Sequence, residues 1–198
     1  MNTLKIIRYS VWAAVALIAA LAGAALLLPP KSGGDAGGGA VGGPFVLASH
    51  DGASVDSKTL LGRPYAVFFG FTNCPDVCPT TMFEIGEDMK ALGAAAQNFR
   101  VFFITVDPER DTPELLKSYL SAFDARISGL IVKNEAELQS ITKAFKAHYR
   151  KVPTSSGYTM DHTAAVYLFD RRGLFWGTLD HQETSETRRA KLKRLLAG

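Results

Sequence analysis

Both cysteines of this 198-residue chain lie in one stretch, Phe71-Thr72-Asn73-Cys74-Pro75-Asp76-Val77-Cys78-Pro79-Thr80-Thr81. A disulfide closing so short a loop would contribute roughly 2 kcal/mol on the chain-entropy estimate, and a domain of this size has core enough without a staple. Thiol chemistry is the better reason for the pair. Pro79 suits the first helical position with Cys78 as N-cap, and Thr81 with Glu84 offers an alternative capping box. Either register puts Cys78 near the positive end of a helix dipole, which favours its thiolate. Thiolates bind soft metals and attack disulfides, and the usual redox spacing is Cys-x-x-Cys, whereas three residues intervene here. Two thiolates select Cu(I), and an added imidazole makes the site acceptable to Cu(II). Of the histidines, His50 reads as a surface residue adjoining a turn, His148 ends a helix and His181 lies exposed in a polar stretch. His162, at the mouth of a strand, is the best placed, although spacing by itself leaves the choice open. A Cys₂His zinc site with an open position is disfavoured by the lack of a nearby general base.

The elements that must present these residues follow from hydrophobic periodicity. Tyr65-Ala66-Val67-Phe68-Phe69-Gly70-Phe71 and Val101-Phe102-Phe103-Ile104-Thr105-Val106 are apolar nearly throughout, the pattern of strands buried on both faces. Between them Met82, Ile85, Met89 and Leu92 recur at helical spacing, so the methionines read as core and not as a copper-binding stripe. Strand, helix, strand predicts a parallel pair with a right-handed crossover, and ligands gather beyond the carboxyl ends of such strands. Cys74 and the charged loop Asp107-Pro108-Glu109-Arg110-Asp111 both emerge there; the loop is either a recognition surface or the cap of the helix opened by Pro113. Asp51-Gly52 predicts an N-terminal hairpin before Val55. Asn134 and Glu137 cap a helix carrying Leu138, Ile141 and Phe145, a loop runs from Pro153 to Asp161, and the strand Ala164–Phe169 turns back into Leu174-Phe175-Trp176. A final helix from about Ser185 reads as basic and solvated around Leu192, Leu195 and Leu196. This order predicts a thioredoxin-like α/β domain with an extra N-terminal hairpin.

Ahead of that domain, Lys5 and Arg8 precede an uncharged apolar run from Val11 to Leu28, long enough as a helix to cross about 27 Å of hydrocarbon. Residues 1–28 therefore read as a cytoplasmic stub and transmembrane helix, with a cleaved signal peptide as the competing reading at Ala22-Gly23-Ala24. With the positive charges inside, the remainder lies outside the cytoplasm, where free thiols need a reason. Residues 29–44, rich in glycine, form a flexible tether, and 45–198 the folded domain. A formal charge of +3 lacks the dense Lys and Arg footprint of a nucleic-acid binder.

Three segments carry a resemblance. Phe69 through Thr81, Ile104-Thr105-Val106-Asp107-Pro108-Glu109-Arg110-Asp111-Thr112-Pro113, and Asp161-His162 resemble the SCO/SenC family of membrane-tethered copper chaperones for cytochrome c oxidase assembly. The resemblance implies that Cys74, Cys78 and His162 hold one copper, Cu(I) or Cu(II), and pass it by ligand exchange to the copper-receiving subunit of the oxidase. It implies a single-pass inner-membrane protein with its domain on the periplasmic side, in reach of other copper chaperones or thiol reductants. It equally permits a thiol-disulfide oxidoreductase that keeps acceptor cysteines reduced, which needs both cysteines but not His162. Asp161 is expected to orient His162 or steer a cationic partner, and Asp76 to favour a bound cation.

Overall fold

The computed structural model describes Trp12, Ala13 and residues 41–198. Apart from Trp12 and Ala13, the apolar run Val11–Leu28 and the tether as far as residue 40 lie outside the described residues, among which no helix is long and apolar enough to cross a membrane. From residue 41 the order is β1 (Val46–Ser49), β2 (Ser54–Asp56), β3 (Tyr65–Gly70), α1 (Val77–Leu92), β4 (Arg100–Thr105), α2 (Pro113–Leu120), β5 (Ile127–Ile131), α3 (Glu135–Phe145), β6 (Tyr149–Thr154), β7 (Gly157–His162), β8 (Val166–Phe169), β9 (Phe175–Leu179) and α4 (Ser185–Ala197).

The two aromatic runs take the centre of a seven-stranded sheet ordered β2-β1-β5-β4-β3-β8-β9. β3 pairs parallel to β4 in register Phe68↔Phe103 and antiparallel to β8 in register Tyr65↔Phe169. All six residues of β3 are buried because helices cover both of its faces. Phe69 meets Phe145 of α3 on one side, while Phe68 and Phe103 face Tyr119 of α2 and the apolar stripe of α1 on the other. Met82 and Met89 are wholly buried in that stripe, as core packing requires.

Four expectations need correcting. A strand, β5, stands between α2 and α3 where none was read. Ser128 and Gly129 interrupt its apolar pattern, and glycine is there because a Cβ would come 2.2 Å from Leu116 of α2. The segment read as a loop from Pro153 to Asp161 is the antiparallel hairpin β6–β7, which runs to His162 opposite Tyr149. His50 is not a solvated turn residue, since its Nδ1 accepts the Gly129 N–H at 2.9 Å and ties the end of β1 to β5. Nor is α4 a solvated basic helix throughout: Arg188 is buried, with its Nε 2.8 Å from an oxygen of the fully buried Asp88 on α1.

Candidate metal centre

The loop between β3 and α1 presents the first sulfur. Helix α1 begins at Val77 with Asp76 as N-cap, two residues before the register that Pro79 suggested. Asp76 makes no side-chain cap; instead Cys74 Sγ accepts the Cys78 N–H at 3.4 Å, Pro79 has no N–H, and Thr80 N–H reaches Asp76 O at 3.1 Å. The sulfur itself thus does the work of a capping oxygen. Thr81 Oγ1 bonds back to Val77 O and takes no part in a capping box.

This inverts the expected thiol chemistry. Cys74, half-buried, is pulled down to about 4 by the hydrogen bond from the Cys78 thiol, aided by the N–H groups of Asp76 and Cys78. Cys78, fully buried, is pushed up by the same hydrogen bond, in which it is the donor, and by burial. The resting dithiol therefore carries its charge on Cys74 and its proton on Cys78. Above pH 4 Cys74 stays ionised, whereas an ordinary thiol near 8.5 is only about one part in a thousand thiolate at pH 5.5. A thiolate of low pKa is also a weaker nucleophile, which returns about two of those three powers of ten. Iodoacetamide at pH 5.5 is thus expected to alkylate Cys74 about tenfold faster than glutathione, with Cys78 untouched in the peptide map. Modification of Cys78 first would show the charge on the other sulfur.

His162 closes the group from the end of β7, 84 positions along the chain from Cys78, with Nε2 3.4 Å from Cys78 Sγ. Its Nδ1 lies 3.1 Å from the Thr163 carbonyl, which can only accept, so the proton sits on Nδ1 and the lone pair on Nε2 faces the sulfurs. Phe68 and Phe71 stand edge-on to the imidazole at 6.0 and 5.7 Å and wall it in. Asp161 does not orient the ring, being exposed and paired with Arg150 at 3.1 Å. Asp76 Oδ1 lies 3.4 Å from Thr80 Oγ1 on the helix and is no member of the cluster. The imidazole of His50 is engaged with Gly129, His148 is exposed and outside the cluster, and His181 lies beside Asp180.

Sγ of Cys74, Sγ of Cys78 and a ring nitrogen of His162 all lie within 4.8 Å of one another. Two metal–sulfur bonds of about 2.3 Å can hold sulfurs at most about 4.6 Å apart, so the donors stand close to ligating distance around one point. The set, two sulfurs and one imidazole, suits a thiophilic ion at low coordination number.

What brings loop and hairpin together is the segment Asp107–Asp111, read from sequence only as a surface or a cap. Thr112 does cap α2, its Oγ1 accepting the Leu115 N–H at 3.2 Å. The same segment also works as a clasp. Buried Asp111 accepts from Thr72 N–H at 3.1 Å, Thr72 Oγ1 at 2.7 Å and Thr105 Oγ1 at 2.6 Å, which fixes the cysteine loop to the end of β4. Burial pushes its carboxyl up against those hydrogen bonds. On the other side Arg110 stacks 3.8 Å above the Tyr158 ring, donates to the Tyr158 carbonyl at 2.9 Å and pairs with Asp107, whose Oδ1 accepts the Tyr158 hydroxyl at 2.9 Å. Tyr158 belongs to β7, so the clasp holds the strand that ends in His162. A charged loop at the carboxyl end of a parallel strand was the available signal for Asp107, Arg110 and Asp111; nothing local marked Tyr158.

Fold and site together define a thioredoxin-like domain whose dithiol is widened by one residue and completed by a histidine from an added hairpin. Comparison with known proteins agrees. A family model described as SCO1/SenC matches residues 34–197, and the chain belongs to that family. It is 37% identical over 138 residues to an SCO2-like protein of Rickettsia prowazekii, covering 68% of this chain and 67% of that protein. The structure of ScoI from Bradyrhizobium japonicum with copper bound superimposes with a TM-score of 0.72 at 46% identity, over 79% of this chain and 99% of the other. BsSco, described as having a disulfide switch and as a member of the Sco family of cytochrome c oxidase assembly proteins, shares the fold at a TM-score of 0.64 and 24% identity, over 80% of this chain and 94% of that one.

Proposed function

We propose that the domain carries one copper ion between Cys74, Cys78 and His162 and delivers it to the copper centre of cytochrome c oxidase during assembly, from a position tethered to the outer face of the inner membrane. The observation that carries this reading is the convergence of the three donor atoms within 4.8 Å of one another. Copper bound to the related ScoI and the oxidase-assembly role of the Sco family support it. Three ligands leave a coordination position through which an acceptor's ligand enters before the old ones leave, and this exchange needs no catalytic acid or base. Of the two sulfurs, Cys74 is already ionised and Cys78 alone must lose a proton on loading.

Titration of the reduced chain with copper at pH 7 is therefore expected to saturate at one equivalent with release of about one proton, not two. Cys74→Ser and Cys78→Ser should each lose the high-affinity equivalent. Undiminished copper binding by either serine variant would end the proposal. Delivery is tested in cells: without the chain, cytochrome c oxidase should accumulate lacking copper.

The asymmetry of the dithiol, one sulfur ionised and its neighbour protonated, favours a second reading as a thiol-disulfide oxidoreductase acting on acceptor cysteines. The histidine separates thiol exchange from Cu(II) carriage, because thiol exchange should survive His162→Ala and tight Cu(II) binding should not.

A further inference from the structure

Leu61, Leu174, Phe175 and Trp176 expose 56, 51, 39 and 38% of their surface. They lie at the end of the sheet remote from the cysteines: β3 starts there at Tyr65 and β9 at Phe175, both paired with Phe169, while Cys74 follows the far end of β3. Gly62 N–H donates to Arg171 O at 2.7 Å, and Leu61 Cδ2 lies 3.1 Å from the position of a Cβ on Gly173, so the turn before β3 abuts the β8–β9 turn. β9 is an edge strand whose pairing slips at this end, Leu168 facing Gly177 and Phe169 facing Phe175, so Trp176 is the extra, unpaired residue of a bulge at the rim.

The charge around this rim is basic. Arg63, Arg171, Arg172 and Arg194 are exposed, and the Arg194 guanidinium lies 6.0 Å from the Trp176 ring. Asp170 beside them is already paired with Arg172. The chain enters the domain at the same place: a Cβ on Gly42 would come 2.6 Å from the Phe169 ring, itself 6.1 Å from the ring of Phe175. Leu28, the last residue of the apolar run, precedes Gly42 by 14 positions. A glycine-rich tether of that length has a typical reach of about 20 Å, so an anchored chain holds this rim close to the bilayer.

We propose that the rim docks on an anionic lipid surface, with Leu61, Leu174, Phe175 and Trp176 at headgroup level and the arginines on lipid phosphates, so that Cys74, Cys78 and His162 face away from the membrane. Indole and phenyl rings flanked by arginine are the side chains that favour this boundary, and a negative leaflet complements the charge. The proposal rests on reading Val11–Leu28 as an anchor.

Trp12 and Trp176 are the only tryptophans, so the full chain with Trp12→Phe reports on Trp176 alone. It is reconstituted in vesicles of brominated phosphatidylcholine, with or without about one quarter phosphatidylglycerol as the source of surface charge. Trp176 emission should fall at least about twofold in the anionic vesicles, and Arg63→Glu with Arg171→Glu should restore it, since each arginine near such a surface is worth about a fivefold change in binding. Flotation with vesicles in which Trp176 stays unquenched would overturn the docking proposal and leave the anchor standing. Failure to float would overturn both. Shielding of Trp176 that tracks protein concentration and ignores lipid composition would assign the rim to a second copy of the chain and overturn docking on lipid.

Discussion

His162→Ala is expected to abolish the intense sulfur-to-copper absorption of the Cu(II)-loaded protein and to weaken Cu(II) binding by at least about 100-fold. Loss of an outer partner alone costs a metal site about 10–100-fold, and this change removes a donor atom. Cu(I) should be held far better by the variant, because two thiolates by themselves satisfy the softer ion. The fold should survive. The imidazole gives up its edge-on contacts with Phe68 and Phe71 and one contact with the Thr163 carbonyl, whereas the clasp on β7 works through Tyr158 and is untouched. The measurements are an absorption spectrum and a melting curve on the same sample. Retention of the absorption would remove His162 from the site, and loss of the melting transition would show that the residue serves structure first.

The second large effect lies away from the metal. Asp88 on α1 is fully buried and accepts from Arg188 Nε and Arg189 Nε of α4, each at 2.8 Å; Arg188 also lies 3.3 Å from Glu84. Asp88→Ala leaves the buried Arg188 without its principal counter-charge, a loss of about 3–5 kcal/mol from a total stability of about 5–15 kcal/mol. For a domain of this size the midpoint of thermal unfolding should fall on the order of 10 °C. Asp88→Asn, which keeps an accepting oxygen, should cost less. Replacing both Asp88 and Arg188 by leucine and methionine should recover much of the loss, since a buried pair often contributes little more than well-packed apolar groups. Copper stoichiometry should not change in any of these variants. A drop of only a degree or two in Asp88→Ala would show that water reaches Arg188.

These two tests address residues that the sequence made visible to different degrees. Cys74 and Cys78 declare themselves by spacing, and the flanking strands by unbroken apolar runs, because strand and helix periodicities depend only on near neighbours. Asp88 and Arg188 sit 100 positions apart in two helices whose patterns both look amphipathic, and nothing local marks either as buried. β5 escaped because its interior glycine answers to Leu116 across the layer, a demand written in no neighbouring residue. The start of α1 departs from the local pattern for a related reason: Pro79 satisfies the rules for a first helical residue, but a sulfur one turn earlier supplies the acceptor that lets the helix begin at Val77.

By itself the amino-acid order settled the kinds of donor, the central strands and the thioredoxin-like plan, and its motif pointed to His162 among the histidines. Tertiary structure decided which sulfur bears the charge, which backbone oxygen turns the imidazole, and how Asp107, Arg110 and Asp111 bind the cysteine loop to the hairpin that ends in His162. The reason is range. Side-chain type and period are properties of a few consecutive residues, whereas proton sharing between Cys74 and Cys78, and the approach of Nε2 to Sγ across 84 positions, exist only once distant elements have packed.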